Sequence, residues 1–494
     1  MARVIVIGAG MGGLAVAARL ATGGHRVSVL EAASTIGGKA GVFERTHQSG
    51  TFRFDTGPTL LTMPQVFEEL FADTGDPLAS VVTLRRVEPA LRYRFGDGTV
   101  LDMTVDAGER AARMEQAFGP GAGAAWTELL ARGERIWRAT EAPVLRSALT
   151  RSSALRRGLR VTDLAAIMPA RTLRQLGRRY LDDPRQRAML DRYATYAGSD
   201  PRRAPAALAV IPFLEAEFGS WSAEGGIRSL VEALADRVRL AGATIRTGAE
   251  VTRIGTIAGR VAEVETADGT VLPADIVVSA ADASDVLGRL LRPARRRVPR
   301  ADSLSGFVVL LGIRGRTPGL AQHNVLFGAG SYDDEFDAVF GDPGRPVADP
   351  VIYVSAPDDP GAAPPGYEAW FVLVNAARHG TSGAGGTLDW DSPGLADRHL
   401  DQIIAALSRR GLPVRDRIVL SEVRTPADLQ RRTGAPGGAI YGSALHGRLG
   451  SFRRPGNATP VRGLYLVGGS AHPGGGLPLV ALSAATVSNL IGPP

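Results

Sequence analysis

The sequence predicts an α/β fold, in which a Rossmann-like domain that binds a dinucleotide is joined to a discontinuous second domain of mixed sheet and helices. Three patterns predict it. A glycine turn lies between two apolar runs near the N-terminus, further strand patterns follow residue 300, and an uncharged strand, loop and helix pattern closes the chain. Because the chain, at 494 residues, exceeds what one hydrophobic core supports, we expect about two to three domains.

The first of these patterns is a dinucleotide-binding fingerprint. A predicted strand, residues 3–7, enters the turn Gly8-Ala9-Gly10-Met11-Gly12-Gly13, which has the spacing G-x-G-x-x-G. Gly8 permits the tight turn, Gly10 lets the backbone approach a pyrophosphate, and Gly13 lets the following helix pack against the strand. The positive N-terminal end of that helix, residues 14–22, then points at the phosphates.

A second predicted strand, residues 25–30, ends at an acidic residue. It delivers Glu31 about twenty residues after the glycines, where a carboxylate can accept a hydrogen bond from a ribose hydroxyl. An acid at this position argues against a ribose 2′-phosphate and therefore against NADP. On these residues alone, FAD and NAD both remain open.

Composition excludes several kinds of site. The chain has no cysteine, which rules out disulfides, iron–sulfur clusters, a thiolate nucleophile, a cysteinyl flavin and cysteine-ligated zinc. The seven histidines form no H-x-x-x-H pair, so we expect no metal site. The net charge of +7 says little by itself, because Lys39 is the only lysine and the arginine richness reflects a general bias of composition.

The arginines are nevertheless concentrated between residues 146 and 203, where fourteen of them face five aspartates. Interleaved apolar residues make this stretch a predicted basic amphipathic helical region, compatible with docking on an anionic membrane surface. A solvated helical face is the alternative interpretation. Nucleic-acid binding is not expected, because no aromatic platform accompanies the arginines.

Two hydrophobic segments resemble membrane segments without being predicted as such. Residues 3–21 resemble a signal peptide, but the glycine turn and the following acid explain them better. Residues 463–494 carry no charge and are long enough to span a bilayer, yet prolines and glycines interrupt them near residue 475. We therefore expect a cytoplasmic protein that is at most peripheral to the cytoplasmic membrane.

The remaining patterns place the other elements and the domain boundaries. Helices are predicted over 227–240 and 393–410, and strands over 243–248, 251–254, 261–266, 274–280, 307–313, 369–374 and 464–467. We assign residues 1–105, 222–300 and 420–494 to the nucleotide-binding domain. Residues 106–221 form the helical, basic region that faces substrate and membrane, and residues 301–419 form the second-sheet substrate domain.

Four segments together resemble the FAD-dependent carotenoid desaturase family, which lies in the amine-oxidase and GDP-dissociation-inhibitor superfamily. They are the fingerprint with Ile36-Gly37-Gly38-Lys39-Ala40, the segment 54–64 with its D-x-G-P-T pattern, the hairpin unit 251–280, and the ending L-Y-L-V-G-G-S-A-H-P-G-G-G-L-P of residues 464–478. The resemblance covers essentially the whole chain. It departs at one point, because an arginine often found shortly before the Gly37-Gly38 pair is absent.

The resemblance implies FAD as the cofactor and assigns its contacts. It implies that Lys39 lies near the phosphates or the ring, that the turn at Pro58 passes the flavin, and that Val251 covers the adenine side. The complete set of implied FAD contacts is Gly8, Gly10, Met11, Gly12, Gly13, Glu31, Ala32, Gly38, Lys39, Pro58, Thr59, Leu60, Val251, Gly469, Leu477 and Pro478.

The family implies desaturation of an apolar polyene, in which a hydride passes to flavin N5 and a proton leaves the neighbouring carbon. His472 is a candidate base, although a histidine in a Gly/Pro loop is at least as often structural. Asp200 and Glu224 are weaker candidates. Segments 67–71, 441–447 and 451–456 look slightly more like 1-hydroxycarotenoid 3,4-desaturases than phytoene desaturases.

Other functions on the same fold stay open at this point. An amine or protoporphyrinogen-type oxidase would need a polar or aromatic-caged pocket, to which Tyr193 and Tyr196 could contribute. A retinol-saturase-like enzyme would run the chemistry in the reverse direction. A non-enzymatic prenyl-binding module would lack flavin, which the intact fingerprint argues against. The oligomeric state is not predicted.

Overall fold

The computed structural model describes residues 1–149, 166–168, 170–291, 298, 300–380, 386–447, 450 and 454–494. The strands are β1 Arg3–Ile7, β2 Arg26–Leu30, β3 Val42–His47, β4 Gly50–Asp55, β5 Leu84–Arg86, β6 Leu91–Arg94, β7 Val100–Met103, β8 Trp221–Ala223, β9 Thr244–Arg246, β10 Val251–Ile257, β11 Arg260–Thr266, β12 Val271–Pro273, β13 Ile276–Ser279, β14 Ser305–Arg314, β15 His323–Leu326, β16 Ile352–Ser355, β17 Tyr367–Ala376, β18 Arg378–His379, β19 Thr387–Leu388, β20 Ile418–Arg424 and β21 Leu464–Leu466. The longer helices are α1 Met11–Thr22, α2 Gln65–Thr74, α3 Ala107–Phe118, α4 Ala122–Thr140, α5 Leu173–Tyr180, α6 Pro184–Arg192, α7 Val210–Phe218, α8 Ile227–Leu240, α9 Asp333–Phe340, α10 Leu395–Arg409, α11 Pro426–Thr433 and α12 Leu477–Ile491.

The nucleotide-binding half is a parallel five-stranded sheet with the order β21-β13-β1-β2-β9. Alternate residues of β1 point to opposite faces, as the period of a strand requires. Val4 and Val6 pack against α1, α8 and α12, whereas Ile5 and Ile7 pack against the three-stranded sheet β10-β11-β12. The sheet is therefore covered on both sides, which confirms the Rossmann-like part of the predicted fold class.

The second half is a seven-stranded, mostly antiparallel sheet with the order β20-β14-β17-β16-β15-β6-β7. Apolar side chains of β14 alternate between two cores, one under α10 and one against β4. Strands β6 and β7 join this sheet through a parallel pairing of β6 with β15, although the sequence placed residues 1–105 with the nucleotide strands. The predicted assignment of these two strands differs from the structure because a local strand pattern does not indicate which distant strand will be its partner.

Helices α3 to α7 form a separate layer against β6 and β7. Met114 and Trp126 are fully buried in its core. The layer contains the described part of the basic stretch, whereas its residues 150–165 and 169 lie outside the described residues. Across the described ranges, no helix combines the length and the apolarity needed to cross a membrane.

Candidate functional site

The glycine turn between β1 and α1 brings the helix into close contact with the strand. Gly8 has a φ of 95°, and its N–H donates to the Leu30 carbonyl at 2.7 Å. A Cβ added to Gly13 would lie 1.9 Å from the Gly8 carbonyl oxygen, so only glycine lets α1 begin directly on the turn. This is the close helix–strand approach that the fingerprint predicts.

Gly10 differs from its neighbours because nothing in the protein demands a glycine there. Its φ of −75° suits any residue, and the nearest described atom to an added Cβ is the Gly37 carbonyl oxygen at 3.9 Å. The open side of Gly10 is also the N-terminal end of α1, where backbone N–H groups attract anions. The residues present therefore fit a pyrophosphate at this place.

Glu31 connects the end of β2 to the glycine turn. Its carboxylate accepts hydrogen bonds from the Ala9 N–H at 2.7 Å and from the Ala33 N–H at 2.9 Å. Ala32 is exposed beside it, and Ala249, two residues before Val251, donates its N–H to the Glu31 carbonyl at 2.8 Å. The fingerprint, the acid and the first strand of the hairpin unit thus come together at one edge of the sheet.

Two further loops, residues 36–40 and 57–60, lie beside the turn. A bridge joins Gly10 to Gly37, and a Cβ on Gly38 would lie 3.4 Å from the Gly10 Cα. A Cβ on Gly57 would lie 1.9 Å from the Lys39 carbonyl oxygen, which brings Pro58, Thr59 and Leu60 alongside. The glycine turn, residues 8–13, and the loops 36–40 and 57–60 therefore lie together, and we call this group of three loops the cradle.

The lysine of this cradle faces inward. Lys39 Nζ donates to the carbonyl oxygens of Ala439 at 3.2 Å and Ile440 at 2.6 Å. Burial lowers the pKa of the ammonium group, and nearby Asp282 partly offsets this effect. The only lysine therefore joins the 36–40 loop to the segment that precedes Tyr441.

The C-terminal loop closes the cradle, held by a residue that the sequence did not single out. Arg454 is buried, and its guanidinium donates to the carbonyl oxygens of Tyr441 at 2.7 Å and of Gly469. Burial lowers its pKa to about 10. The Tyr441 ring lies so close to Gly475 that a Cβ there would be 2.2 Å from the ring. Leu477 and Pro478 begin α12 directly after this loop.

The predicted base candidates have other partners. His472 is buried, and its Nε2 lies 2.7 Å from the Val144 carbonyl oxygen and 3.0 Å from that of Ser147. Because both partners are acceptors, Nε2 carries a proton and joins the segment that follows α4 to the C-terminal loop. Asp200 pairs with Arg202 at 2.8 Å, and exposed Glu224 lies 3.4 Å from Arg85. A role as base stays a prediction for each of them.

Tyrosines gather where the second sheet and the helical layer meet the cradle. The Tyr353 hydroxyl lies 2.7 Å from Thr59 Oγ1 and 2.8 Å from His323 Nδ1. Burial lowers the pKa of His323 to about 4 and raises that of Tyr441 to about 12. His323 and Tyr441 are therefore uncharged near neutral pH, whereas the guanidinium of Arg192, whose Cζ lies 6.0 Å from the centre of the Tyr353 ring, brings a positive charge to this cluster.

One group of potential metal ligands occurs in the described ranges. It consists of His379, Asp389 and Asp391, whose ligand atoms lie within 4.8 Å of one another. Asp391 is also paired with Arg431 at 2.9 Å, and the Trp390 N–H points at His379 Nδ1 at 3.3 Å. The group thus has protein partners of its own.

A family model matches most of the chain. Residues 11–379 match the family described as flavin containing amine oxidoreductase. This range begins in the glycine turn and runs through the cradle loops, the helical layer and most of the second sheet.

Curated relatives align over nearly the full length. The chain is 36% identical to the 4,4′-diapolycopene oxygenase of Methylomonas sp, covering 99% of this chain and 98% of the relative. It is 34% identical to the hydroxyneurosporene desaturase of Cereibacter sphaeroides, covering 99% and 97%. It is also 34% identical to the zeta-carotene-forming phytoene desaturase of Myxococcus xanthus, covering 98% and 93%.

Solved structures share the fold at low identity. An oxidoreductase from Methanosarcina mazei superposes with a TM-score of 0.61 at 19% identity, covering 99% of this chain and 100% of that one. Putrescine oxidase bound to putrescine superposes with a TM-score of 0.64 at 15% identity, covering 99% of each chain. At such identities the likeness concerns the fold alone.

Proposed function

The chain belongs to the flavin-containing amine oxidoreductases and, among them, to the FAD-dependent carotenoid desaturases, and from this premise we propose that it desaturates an acyclic carotenoid, either phytoene or a hydroxylated carotene. The observation that carries the proposal is the full-length relationship to three enzymes named for carotenoids, combined with the complete three-loop cradle. An FAD-dependent oxidoreductase of this family needs such a cradle to orient its cofactor.

The chain supplies binding and orientation for this reaction. Bound FAD would accept the hydride from an allylic carbon of the polyene. The glycine turn and the N-terminal end of α1 would hold its pyrophosphate, and Glu31 would accept from a ribose hydroxyl. The Thr59 loop and the Gly469 to Gly475 loop approach from opposite segments of the chain and would flank the ring. The proton acceptor is not assigned.

An amine substrate is disfavoured by charge. The tyrosine cluster next to Thr59 contains the buried guanidinium of Arg192, whose Cζ lies 4.9 Å from the Tyr196 ring. A cation within an aromatic cage repels an ammonium group instead of attracting it. A protoporphyrinogen-type oxidase, a retinol-saturase-like enzyme and a prenyl-binding module remain as outcomes of the experiment.

The experiment offers purified protein with FAD in liposomes either phytoene or acyclic hydroxylated carotenes. We expect a red-shifted polyene spectrum and a product lighter by two hydrogens for each desaturation. A product that gains oxygen would instead resemble the activity named for the Methylomonas relative. A protein that binds no flavin, or that leaves every polyene unchanged, would overturn the proposal.

We also propose that the helical layer docks on an anionic membrane surface, where an apolar polyene is stored. On α5, Arg178 and Arg179 are exposed, whereas Arg174 is engaged by Asp191 and Asp333. Exposed cations near a membrane contribute about 1 kcal/mol each to binding. Flotation with anionic liposomes should therefore be sensitive to salt.

The matched variants for this test carry equal charge changes. Replacing Arg178 and Arg179 with glutamate should weaken flotation. The same change at Arg26 and Arg398, which are exposed on β2 and α10, should leave it intact. Binding that ignores lipid charge, or that responds equally to both pairs, would contradict the docking surface.

A further inference from the structure

Arg192, the last residue of α6, is a buried cation without a matching anion. Its relative exposure is 6%, and its Nη1 donates to the Tyr196 hydroxyl at 2.8 Å. An arginine side chain carries five N–H donors, of which only this one has an acceptor among the described residues. None of the remaining donor atoms is fully enclosed by described protein atoms, so they face open space in which an acceptor can bind.

The acidic groups of this region make their hydrogen bonds elsewhere, although the charge of Arg192 acts on Glu215, where it partly offsets the rise that burial causes in the pKa of that carboxyl. Glu215 accepts from the Tyr193 hydroxyl at 3.0 Å, and Glu335 accepts from the Val351 N–H at 2.7 Å. Asp191, adjacent in sequence, pairs with Arg174 at 2.6 Å. Within the described ranges no carboxylate lies within ion-pair distance of Arg192, and aromatic rings are its main neighbours.

Those rings place Arg192 beside the cradle. Its Cζ lies 4.9 Å from the centre of the Tyr196 ring and 6.0 Å from that of Tyr353. The Tyr353 hydroxyl in turn contacts Thr59 at 2.7 Å, in the loop that would flank the flavin. Tyr196, Tyr353 and Thr59 are only partly covered by protein atoms. The free donors of Arg192 are thus separated from the expected reaction centre by one layer of side chains.

We infer that Arg192 binds an oxygen atom at the end of the polyene, so that the substrate is an oxygenated acyclic carotenoid carrying a terminal hydroxyl or carbonyl group. The inference rests on the proposed desaturation and narrows its substrate class. A hydrocarbon cannot accept from the guanidinium, and an ammonium group is repelled by it. A hydroxyl or carbonyl oxygen satisfies the donors without adding charge to the buried site. Arg192 therefore acts as a specificity-determining residue.

The test compares three polyenes of equal length and conjugation, namely a hydrocarbon, one with a terminal hydroxyl and one with a terminal aldehyde. Binding to the FAD-loaded protein in detergent is measured by quenching of tryptophan fluorescence. A hydrogen bond to a charged group corresponds to a preference of about 10-fold to 100-fold. We expect the wild type to prefer at least one oxygenated polyene by that factor.

Two variants ask whether the preference belongs to Arg192. Arg192→Gln should reduce the preference to less than about threefold, whereas Arg192→Lys, which keeps the charge but loses the planar group that stacks on Tyr196, should show a preference between those of Arg192→Gln and the wild type. The matched control is Arg237→Gln on α8, since Arg237 is equally buried at 6% but contacts Phe71 at 5.6 Å and the Asp76 carbonyl at 2.8 Å instead of the tyrosine cluster. This control should keep the full preference.

The outcomes separate the inference from the proposed function. A wild type that binds all three polyenes equally, or an Arg192→Gln variant that keeps the preference, overturns the inference even if desaturation proceeds. If Arg192→Gln does not fold, the wild-type preference and Arg192→Lys still decide it. A preference for oxygenated polyenes without any flavin reduction would instead overturn the desaturase proposal and leave the binding site standing.

Discussion

The substitution Gly10→Ala should weaken FAD binding while it leaves the fold of the apoprotein intact. An added methyl group at Gly10 meets its nearest described atom at 3.9 Å, an ordinary contact, and the φ of −75° suits alanine. Because Gly10 is the N-cap of α1, where alanine is less favourable than glycine, the apoprotein should lose no more than about 1 kcal/mol of its free energy of unfolding. If the pyrophosphate lies on the open side of Gly10, however, the methyl group occupies its place. FAD affinity should then fall by at least about tenfold, which equals about 1.4 kcal/mol.

The measurements are urea unfolding of the apoprotein and a fluorescence titration with FAD. Gly330→Ala is the matched control, because an added Cβ there has no described atom within 4 Å and lies in the second half of the molecule. Gly330→Ala should change neither the free energy of unfolding nor the FAD affinity. Unchanged FAD affinity in Gly10→Ala would refute the placement of the phosphates, and a loss of apoprotein stability clearly above about 1 kcal/mol would refute the claim that the protein tolerates a side chain there.

Three further predictions concern other parts of the site. Gly13→Ala should destabilise the apoprotein by about 3 kcal/mol or more in urea unfolding, because its methyl group would lie 1.9 Å from a backbone oxygen, and a loss below 1 kcal/mol would contradict this packing. Burial raises the pKa of Asp55, which accepts from the Ile227 N–H at 2.9 Å, to about 6. Its folded form thus holds a proton more tightly than the unfolded chain, so the stability it contributes is present below about pH 4 and is lost as the pH rises through about 6. Over that pH window the wild type should lose about 2 kcal/mol more unfolding free energy than Asp55→Asn. Curves of unfolding free energy against pH that run parallel for the two proteins would refute the raised pKa. His472→Ala should cost about 1–3 kcal/mol of stability but leave the pH profile of flavin reduction unchanged, whereas loss of the acidic limb of that profile would identify His472 as the base.

The parts of the site that the sequence predicts are those that local chemistry determines. The spacing from Gly8 to Gly13 and the acid at residue 31 belong to one strand–turn–helix–strand unit, whose geometry depends on neighbours in the chain. The helix 227–240 is found with the predicted bounds because its apolar residues repeat with the helical period. The C-terminal strand and helix are also found, on either side of the loop that the glycines and prolines near residue 475 indicate.

The parts that escape prediction depend on contacts between distant segments. Strands β6 and β7 pair in the second sheet through β15, a partner that no local pattern indicates. Arg454 holds the carbonyl oxygens of Tyr441 and Gly469 together, and in the sequence it is one arginine among many. Arg192 also resembles its neighbours in the basic stretch. Its burial becomes visible only once the second sheet brings Tyr353 against the helical layer.

The central claim is that an acyclic polyene gives its electrons to FAD held in this cradle. The most direct test is an anaerobic single-turnover titration of the FAD-loaded protein with oxygenated and hydrocarbon polyenes, with the flavin and polyene absorbance bands followed together. The account predicts that bleaching of the flavin band accompanies a red shift of the polyene, with one new double bond formed for each flavin reduced. A flavin that stays oxidised with every polyene, or a red shift without flavin bleaching, would contradict it.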